Sequence, residues 1–162
     1  MERIIPIRQY EDDMYICNDG TCMDIIKIIS KDWKNAADID RDYDIARWTK
    51  FYRMYYPDIE IVALNFKYTT AAQQKYMEHV IKRQKNPYLK AQLERKLKEL
   101  HYIEKNYTRR EFFLFLFGAN KEELRQNRNK INDLLNHLIE FLDFNTKQQI
   151  LFKINNKNSD IR

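Results

Sequence analysis

Only two glycines, Gly20 and Gly118, occur among the 162 residues of this chain. Loops that hold phosphate groups need several glycines, because their backbone must come close to the phosphate oxygens. Neither G-x-x-x-x-G-K-[ST] nor G-x-G-x-x-G can therefore be written anywhere in the sequence. We expect no nucleotide to bind through either loop, and we predict no cofactor for this chain.

The composition is typical of a globular protein with a polar surface, with 44% hydrophobic and 33% charged residues. The length favours one domain with a core of its own. No apolar run approaches the roughly 20 residues that a membrane-spanning helix needs. The N-terminus also lacks the charged and apolar regions of a signal peptide. We therefore expect a cytoplasmic protein with no transmembrane segment.

Strand-like runs alternate with helical patterns along the chain. Asn18-Asp19-Gly20 is a strong turn signal and predicts a hairpin between Met14–Cys17 and Cys22–Ile29. Ile59–Phe66 and Glu111–Phe117 are nearly continuous apolar runs, so we predict neighbouring central strands that are reached by right-handed crossovers, with Ile59–Phe66 buried on both faces. The order predicts an α+β (α/β-like) fold, in which long amphipathic helices cover a mixed β-sheet with an N-terminal hairpin.

Capping residues predict where the helices begin. One helix begins at Asp38 or Asp40, one at Asn86-Pro87 and one at Asn120. The last of these is predicted to be long, because its apolar residues keep helical spacing through Leu124, Ile131, Leu135, Leu138 and Leu142. We predict one globular domain over residues 1–154 and a polar linker over residues 155–162.

No catalytic or metal-binding pattern is complete. Cys17 and Cys22 supply half of a possible metal site, but no second pair exists, so we predict reduced thiols beside a hairpin turn and no bound metal. Ser30 and Ser159 are the only serines, and neither lies in a G-x-S-x-G turn. We expect a protein that is not an enzyme; an enzyme with an unrecognised site is a third and weaker alternative.

The net charge of +5 and the sequence pI of about 9.1 favour anionic partners. One group of basic residues flanks the Asn86-Pro87 break and continues along the following helix: Lys82, Arg83, Lys85, Lys90, Arg95 and Lys96. This group is our candidate interaction surface, since such cations can contact phosphates or anionic lipid. The alternative is a solvated corner between two helices, with no partner.

Several short segments follow one another in a familiar order. They are Thr21-Cys22-Met23-Asp24-Ile25-Ile26, Lys85-Asn86-Pro87-Tyr88-Leu89-Lys90, Thr108-Arg109-Arg110-Glu111-Phe112-Phe113, and Gln149-Ile150-Leu151-Phe152-Lys153-Ile154. In order and spacing they resemble the N-terminal region of VirB-type conjugation ATPases of type IV secretion systems. The resemblance is greatest to those encoded by conjugative transposons and plasmids of Gram-positive bacteria, and it covers nearly the whole chain.

The resemblance implies an α/β scaffold that docks the ATPase onto the membrane subunits of a conjugation channel and helps it to associate with copies of itself. It also implies a place at the inner face of the cell membrane, as a peripheral protein. In that family a RecA-like motor domain with the Walker motifs comes next. This sequence stops at Arg162, so we expect an excised domain or a shortened relative, with residues 155–162 leading towards the missing motor.

Two functions of different classes therefore compete. The first is a non-catalytic docking and assembly domain that serves DNA transfer by conjugation. The second is a basic nucleic-acid-binding module of a mobile genetic element. The sequence shows no clustered Arg and Lys residues with exposed aromatics, which favours the first function. We accordingly expect DNA binding to be weak and non-specific at most.

Overall fold

The structure is a computed structural model that describes residues 6–156. The strands are β1 (Ile7–Glu11), β2 (Met14–Cys17), β3 (Cys22–Ile28), β4 (Ile59–Lys67), β5 (Thr108–Gly118) and β6 (Ile139–Phe141). The helices are α1 (Asp38–Met54), α2 (Ala71–Arg83), α3 (Pro87–Asn106), α4 (Lys121–Leu135) and α5 (Phe144–Asn155). Most of the linker predicted at 155–162 lies outside the described residues, and Asn155 is the last residue of α5.

The six strands form one antiparallel sheet with the order β1-β2-β3-β5-β4, and β6 pairs with the end of β3. The predicted hairpin is confirmed: β2 pairs antiparallel with β3, and Gly20 takes a φ of 87° in the turn between them. A second hairpin joins β1 to β2 through Asp12 and Asp13, both with positive φ. The predicted α+β class is therefore confirmed.

The two apolar runs occupy different positions in the sheet. In β5 the four residues Phe113–Leu116 are each at most 2% exposed, as predicted for a central strand. β4 is adjacent to β5, as predicted, but it lies at the edge of the sheet, where half-buried and exposed residues alternate and Ile61 is 45% exposed. The prediction that this strand is buried on both faces is wrong. Because β3 and β4 both pair antiparallel with β5, they run parallel to each other, and the link through α1 is a crossover, whereas β4 and β5 are antiparallel neighbours and need none.

Two of the predicted helix starts are confirmed by hydrogen bonds. The Asn86 side chain accepts from the N–H of Tyr88 at 3.0 Å, and the Asn120 side chain accepts from the N–H of Glu123 at 2.9 Å. The predicted cap of α1 is wrong, because Ala37 takes that position. Asp38 and Asp40 lie in the first turn instead, where the helix dipole favours acidic side chains.

The helix that begins after Asn120 is shorter than predicted. α4 ends at Leu135, where the chain enters a 3-10 turn (Asn136–Leu138) and then β6. Leu138 and Leu142 are buried as expected, but they do not belong to the helix. Helical spacing of apolar residues therefore continued by coincidence into a segment with a different backbone.

The described residues divide into two compact units. We call residues 6–64 and 111–156 the sheet unit and residues 65–110 the helical unit. In the sheet unit one apolar core joins the sheet to α1 and α4, with Ile26, Phe51, Leu114 and Ile131 fully buried. In the helical unit α2 and α3 pack against each other, and neither helix contains a fully buried side chain. The single domain over residues 1–154 stays a prediction.

Candidate functional site

The positive charge of the protein is concentrated in the helical unit. Residues 65–110 contain twelve Lys and Arg residues against four Glu and no Asp, which gives a formal charge of +8. The rest of the chain contains seventeen basic and twenty acidic residues, a charge of −3. The overall charge of +5 is therefore the sum of a strongly basic unit and a weakly acidic remainder. Such an asymmetry is typical of proteins with anionic partners.

The six basic residues selected from the sequence all lie in the helical unit, and all six are exposed. Lys82 and Arg83 end α2, Lys85 lies in the link, and the others lie on α3. Within residues 6–156, none of the six has a carboxylate within 4 Å. We call Lys82, Arg83, Lys85 and Lys90 the basic elbow. Its cations are available to an external anion.

Arg95 and Lys96 do not extend the elbow as a single surface. Successive residues of an α-helix are about 100° apart around its axis, so the two side chains leave α3 in different directions. Arg95 lines a separate groove of about 800 Å³. We call this the tyrosine groove; it is lined by Tyr68, Arg95, Lys98, Glu99, Tyr102, Ile103 and Tyr107.

The residues of the tyrosine groove come from one face of α3 and from the segments that follow α3 and β4. Arg95, Lys98 and Tyr102 recur at three- and four-residue intervals and therefore share one face of α3. Tyr107 follows the last residue of that helix, and its carbonyl accepts a hydrogen bond from the Tyr68 N–H at 3.4 Å. The rings of Tyr102 and Tyr107 meet edge to face, with centroids 6.1 Å apart.

The three tyrosine rings of the groove are open to solvent. Tyr68, Tyr102 and Tyr107 are 39%, 60% and 53% exposed. Among the described residues, no carboxylate lies within 4 Å of Lys98 or of Arg95. The groove therefore offers aromatic faces at one end and two unpaired cations towards the other.

A polar network fixes the end of α3 beside the groove. The buried Thr70 donates its hydroxyl to Glu104 Oε2 at 2.8 Å and its backbone N–H to the same oxygen at 3.3 Å. The Gln74 side-chain amide donates to Thr70 Oγ1 at 2.8 Å. The hydrogen bond from Thr70 lowers the pKa of Glu104. This network ties the start of α2 to the last turns of α3, which carry Tyr102.

Sequence reasoning missed the tyrosine groove. The statement that no clustered cations and exposed aromatics occur is wrong, because the groove contains both. The signal was present in the sequence as the spacing of Arg95, Lys98 and Tyr102 on α3, with Tyr107 directly after the helix. Tyr68 could not be added from the sequence, since it reaches the groove only through the fold.

The sheet unit contains a buried ionic cluster that sequence reasoning also missed. Asp24 is fully buried on β3, and Lys147 of α5, which is 1% exposed, lies 2.8 Å from its Oδ1. Lys147 also contacts Asp13 Oδ1 at 2.9 Å, and Arg128 of α4 contacts both carboxylates at 3.0 Å. Burial raises the pKa of Asp24, against the lowering effect of the two cations.

This ionic cluster has the geometry of a structural tie. It joins the β1–β2 turn, strand β3 and two helices through two carboxylates and two cations. Its central pair, Asp24 and Lys147, is almost completely shielded from solvent, so neither group is accessible to a substrate. We therefore assign the cluster to the scaffold.

A smaller cavity of about 330 Å³ lies in the sheet unit. Lys31 donates to both oxygens of the buried Asp44, at 2.9 and 2.8 Å, and His137 Nε2 lies 3.5 Å from Asp44 Oδ1. A carboxylate beside an imidazole is one element of proton-transfer sites, but the residues lining this cavity include no Ser, Thr or Cys. The arrangement therefore does not contain the pairing of a Ser, Thr or Cys nucleophile with a base.

Two further observations concern metals and membranes. Cys17 and Cys22 are both buried and free, and among residues 6–156 no cluster of three or more His, Cys, Asp or Glu side chains could hold a metal ion. No helix in the described part of the chain has the length and apolar character needed to cross a membrane.

Comparison with known proteins identifies one family. A family model described as an archaeal TraC-like domain matches residues 3–156, which is almost the whole chain. No curated protein and no solved structure gives a match.

Proposed function

The chain belongs to the archaeal TraC-like domain family, which points to a conjugation-associated role, and from this premise we propose that it is a non-catalytic docking and assembly domain. In this proposal it is the N-terminal part, or a relative, of a VirB-type ATPase of a type IV secretion system. It links the motor to the membrane channel at the inner face of the cell membrane. A more specific relation to ATPases of Gram-positive conjugative transposons stays part of the proposal.

The observation that carries this proposal is the segregation of charge onto the helical unit. A charge of +8 within 46 residues, with the cations of the basic elbow unpaired and exposed, forms a recognition surface for an acidic partner. Near an anionic leaflet each Lys or Arg contributes about 1 kcal/mol of attraction. The elbow is thus suited to hold the domain beside the membrane while it contacts the channel.

The rest of the molecule fits a scaffold. One core of buried residues joins the sheet to α1 and α4, and the ionic cluster ties α4 and α5 to the sheet. We propose that the helical unit contacts the membrane subunits of the channel and other copies of the ATPase. Double-stranded DNA binds the elbow weakly and without sequence preference in this account.

A pull-down with charge-reversed variants tests the proposal. The elbow variant changes Lys82, Arg83, Lys85 and Lys90 to Glu. Its matched control changes four exposed cations of the sheet unit to Glu: Arg8, Lys34, Lys50 and Arg53. Both variants take the net charge from +5 to −3, because each reverses four positive charges. The tagged chain is incubated with membranes that carry the conjugation channel and with membranes that lack it.

We expect the parent and the control to recover channel subunits from the first membranes alone. The elbow variant should recover about tenfold less, because four exposed ionic contacts of roughly 0.3–0.4 kcal/mol each sum to about 1.4 kcal/mol. An equal loss in both variants would show that net charge, and not the elbow, governs recovery. Failure of the parent to recover any channel subunit would remove the proposal.

A further inference from the structure

We propose that the tyrosine groove binds single-stranded nucleic acid. This activity is separate from docking through the basic elbow, and it does not depend on the conjugation role proposed above. It rests on the residues that line the groove, on the exposure of the three tyrosine rings and on two cations with no carboxylate within 4 Å among the described residues.

The groove matches the two chemical features of an unpaired strand. Bases expose flat aromatic faces, which stack on Tyr, and the backbone carries one negative charge per phosphate. Tyr102 and Tyr107 are more than half exposed, and Tyr68 is 39% exposed, so all three rings are accessible for stacking. Arg95 and Lys98 have no carboxylate within 4 Å among the described residues, so a phosphate does not have to displace an internal partner.

The separation of these features also suits a strand. Arg95 and Tyr102 are seven residues apart on α3, which corresponds to roughly 10 Å along the helix axis. Arg95 thus lies about two helical turns from Tyr102 and Lys98 about one turn, so we infer that the backbone of a strand stacked on Tyr102 passes along these two cations. The +8 charge of the helical unit attracts a polyanion towards this surface before contact is made.

Competing ligands fit fewer of these features. In a duplex the base faces are hidden inside the stack, so the tyrosine rings would have no partner. An acidic peptide would pair with Arg95 and Lys98 but would not supply a row of flat rings for three tyrosines. A single strand is the ligand class that uses both ends of the groove.

Glu99 provides a further test, because its removal should increase the affinity of the groove for a strand. Its carboxylate lines the groove between the cations and Tyr102, and no cation lies within 4 Å of it among the described residues. Its negative charge therefore repels a phosphate backbone that lies in the groove. Glu99→Gln should strengthen binding of a strand by a few-fold, whereas substitutions elsewhere on α3 should not.

Fluorescence anisotropy with the full chain tests the groove. The probe is a labelled oligothymidylate of about 20 nucleotides, compared with a duplex of equal length at physiological salt. The Tyr102→Ala/Tyr107→Ala variant should weaken strand binding by about thirtyfold or more, because two stacking contacts are lost. The matched control, Tyr76→Ala/Tyr88→Ala, removes two tyrosines that are 68% and 70% exposed in the helical unit but lie outside the groove, and it should keep the parent affinity.

The cations are tested by salt dependence. Arg95→Gln/Lys98→Gln should weaken binding and reduce the slope of log K against log salt by about 1.4, since each phosphate contact on a single strand contributes about 0.7. Lys96→Gln, one residue away on another side of α3, should change the slope by much less. Circular dichroism of every variant confirms that the helices are retained.

Three results would overturn the proposal. One is duplex affinity equal to strand affinity. Another is equal loss of binding in the groove and control tyrosine pairs. The third is displacement of the oligonucleotide by polyglutamate at equal charge concentration, which would identify an acidic ligand site that makes no use of stacking. The elbow variant described above should still show tyrosine-dependent strand binding, so failure of docking and failure of this proposal are distinguishable.

Discussion

Replacing Phe115 with Asp is expected to lower the free energy of unfolding by about 4 kcal/mol or more, enough to unfold many domains of this size. Phe115 is 2% exposed on β5, which lies between β3 and β4 in the sheet. The new carboxylate would be buried among apolar side chains with no partner. Urea denaturation followed by circular dichroism measures the change, or shows that the variant is already unfolded.

Two companion variants make this result specific. Phe115→Leu keeps the site apolar and should cost much less, about 1.5 kcal/mol. Leu64→Asp introduces the same charge on the edge strand β4, where the side chain is only half-buried and water can reach it, so its cost should be closer to 1 kcal/mol. Equal costs for Leu64→Asp and Phe115→Asp would contradict the assignment of β4 to the edge and β5 to the centre.

Replacing Lys147 with Met is expected to destabilise the sheet unit by about 3–5 kcal/mol. Lys147 is 1% exposed and contacts the carboxylates of Asp24 and Asp13 at 2.8 and 2.9 Å. Without it, the fully buried Asp24 keeps Arg128 as its only recorded cationic partner within the described residues. The loss of stability arises because the buried negative charge of Asp24 has lost its ion pair with Lys147. Urea denaturation measures the change in the free energy of unfolding.

The control for this prediction is Lys50→Met, which removes an exposed lysine of α1 and should change stability by less than about 0.5 kcal/mol. The double variant Asp24→Asn/Lys147→Met should be more stable than Lys147→Met alone, because it also removes the buried negative charge. A Lys147→Met protein as stable as the Lys50→Met control would show that the ionic cluster contributes nothing to folding.

Local chemistry made part of this fold predictable from the sequence. Turn residues with tolerance for positive φ located the hairpin, and an Asn before a Pro located the start of α3. The apolar run in β5 predicted a central strand because the six residues that follow Glu111 are all hydrophobic. Each of these features is decided within a few residues of chain.

Features that depend on which elements pack beside a segment in the fold could not be predicted from the sequence. β4 is as apolar as a central strand, yet it lies at the edge, because which strands pair on either side is a property of the whole sheet. The end of α4 at Leu135 was hidden by leucines that keep helical spacing into a turn and β6. Apolar periodicity reports which residues are buried more reliably than it reports the backbone that buries them.

Of the two candidate surfaces, one could be found from the sequence and the other required the fold. The basic elbow was found from the sequence, since its four cations flank one helix break. The concentration of charge became visible only when the structure set the limits of the helical unit at residues 65 and 110. The tyrosine groove needed the fold as well, because Tyr68 comes from the end of β4 and joins residues of α3.

Site-specific photo-cross-linking in cells that are transferring DNA tests the central claim, that the helical unit recognises the channel. A photoreactive phenylalanine derivative replaces Tyr88, which is 70% exposed beside the basic elbow, or Tyr52, which is 60% exposed on α1 of the sheet unit. Both substitutions keep an aromatic ring at an exposed position, so they form a matched pair. We predict adducts with membrane subunits of the conjugation channel from position 88 and none from position 52. Adducts from position 52 alone, or none from position 88 during active transfer, would contradict the account.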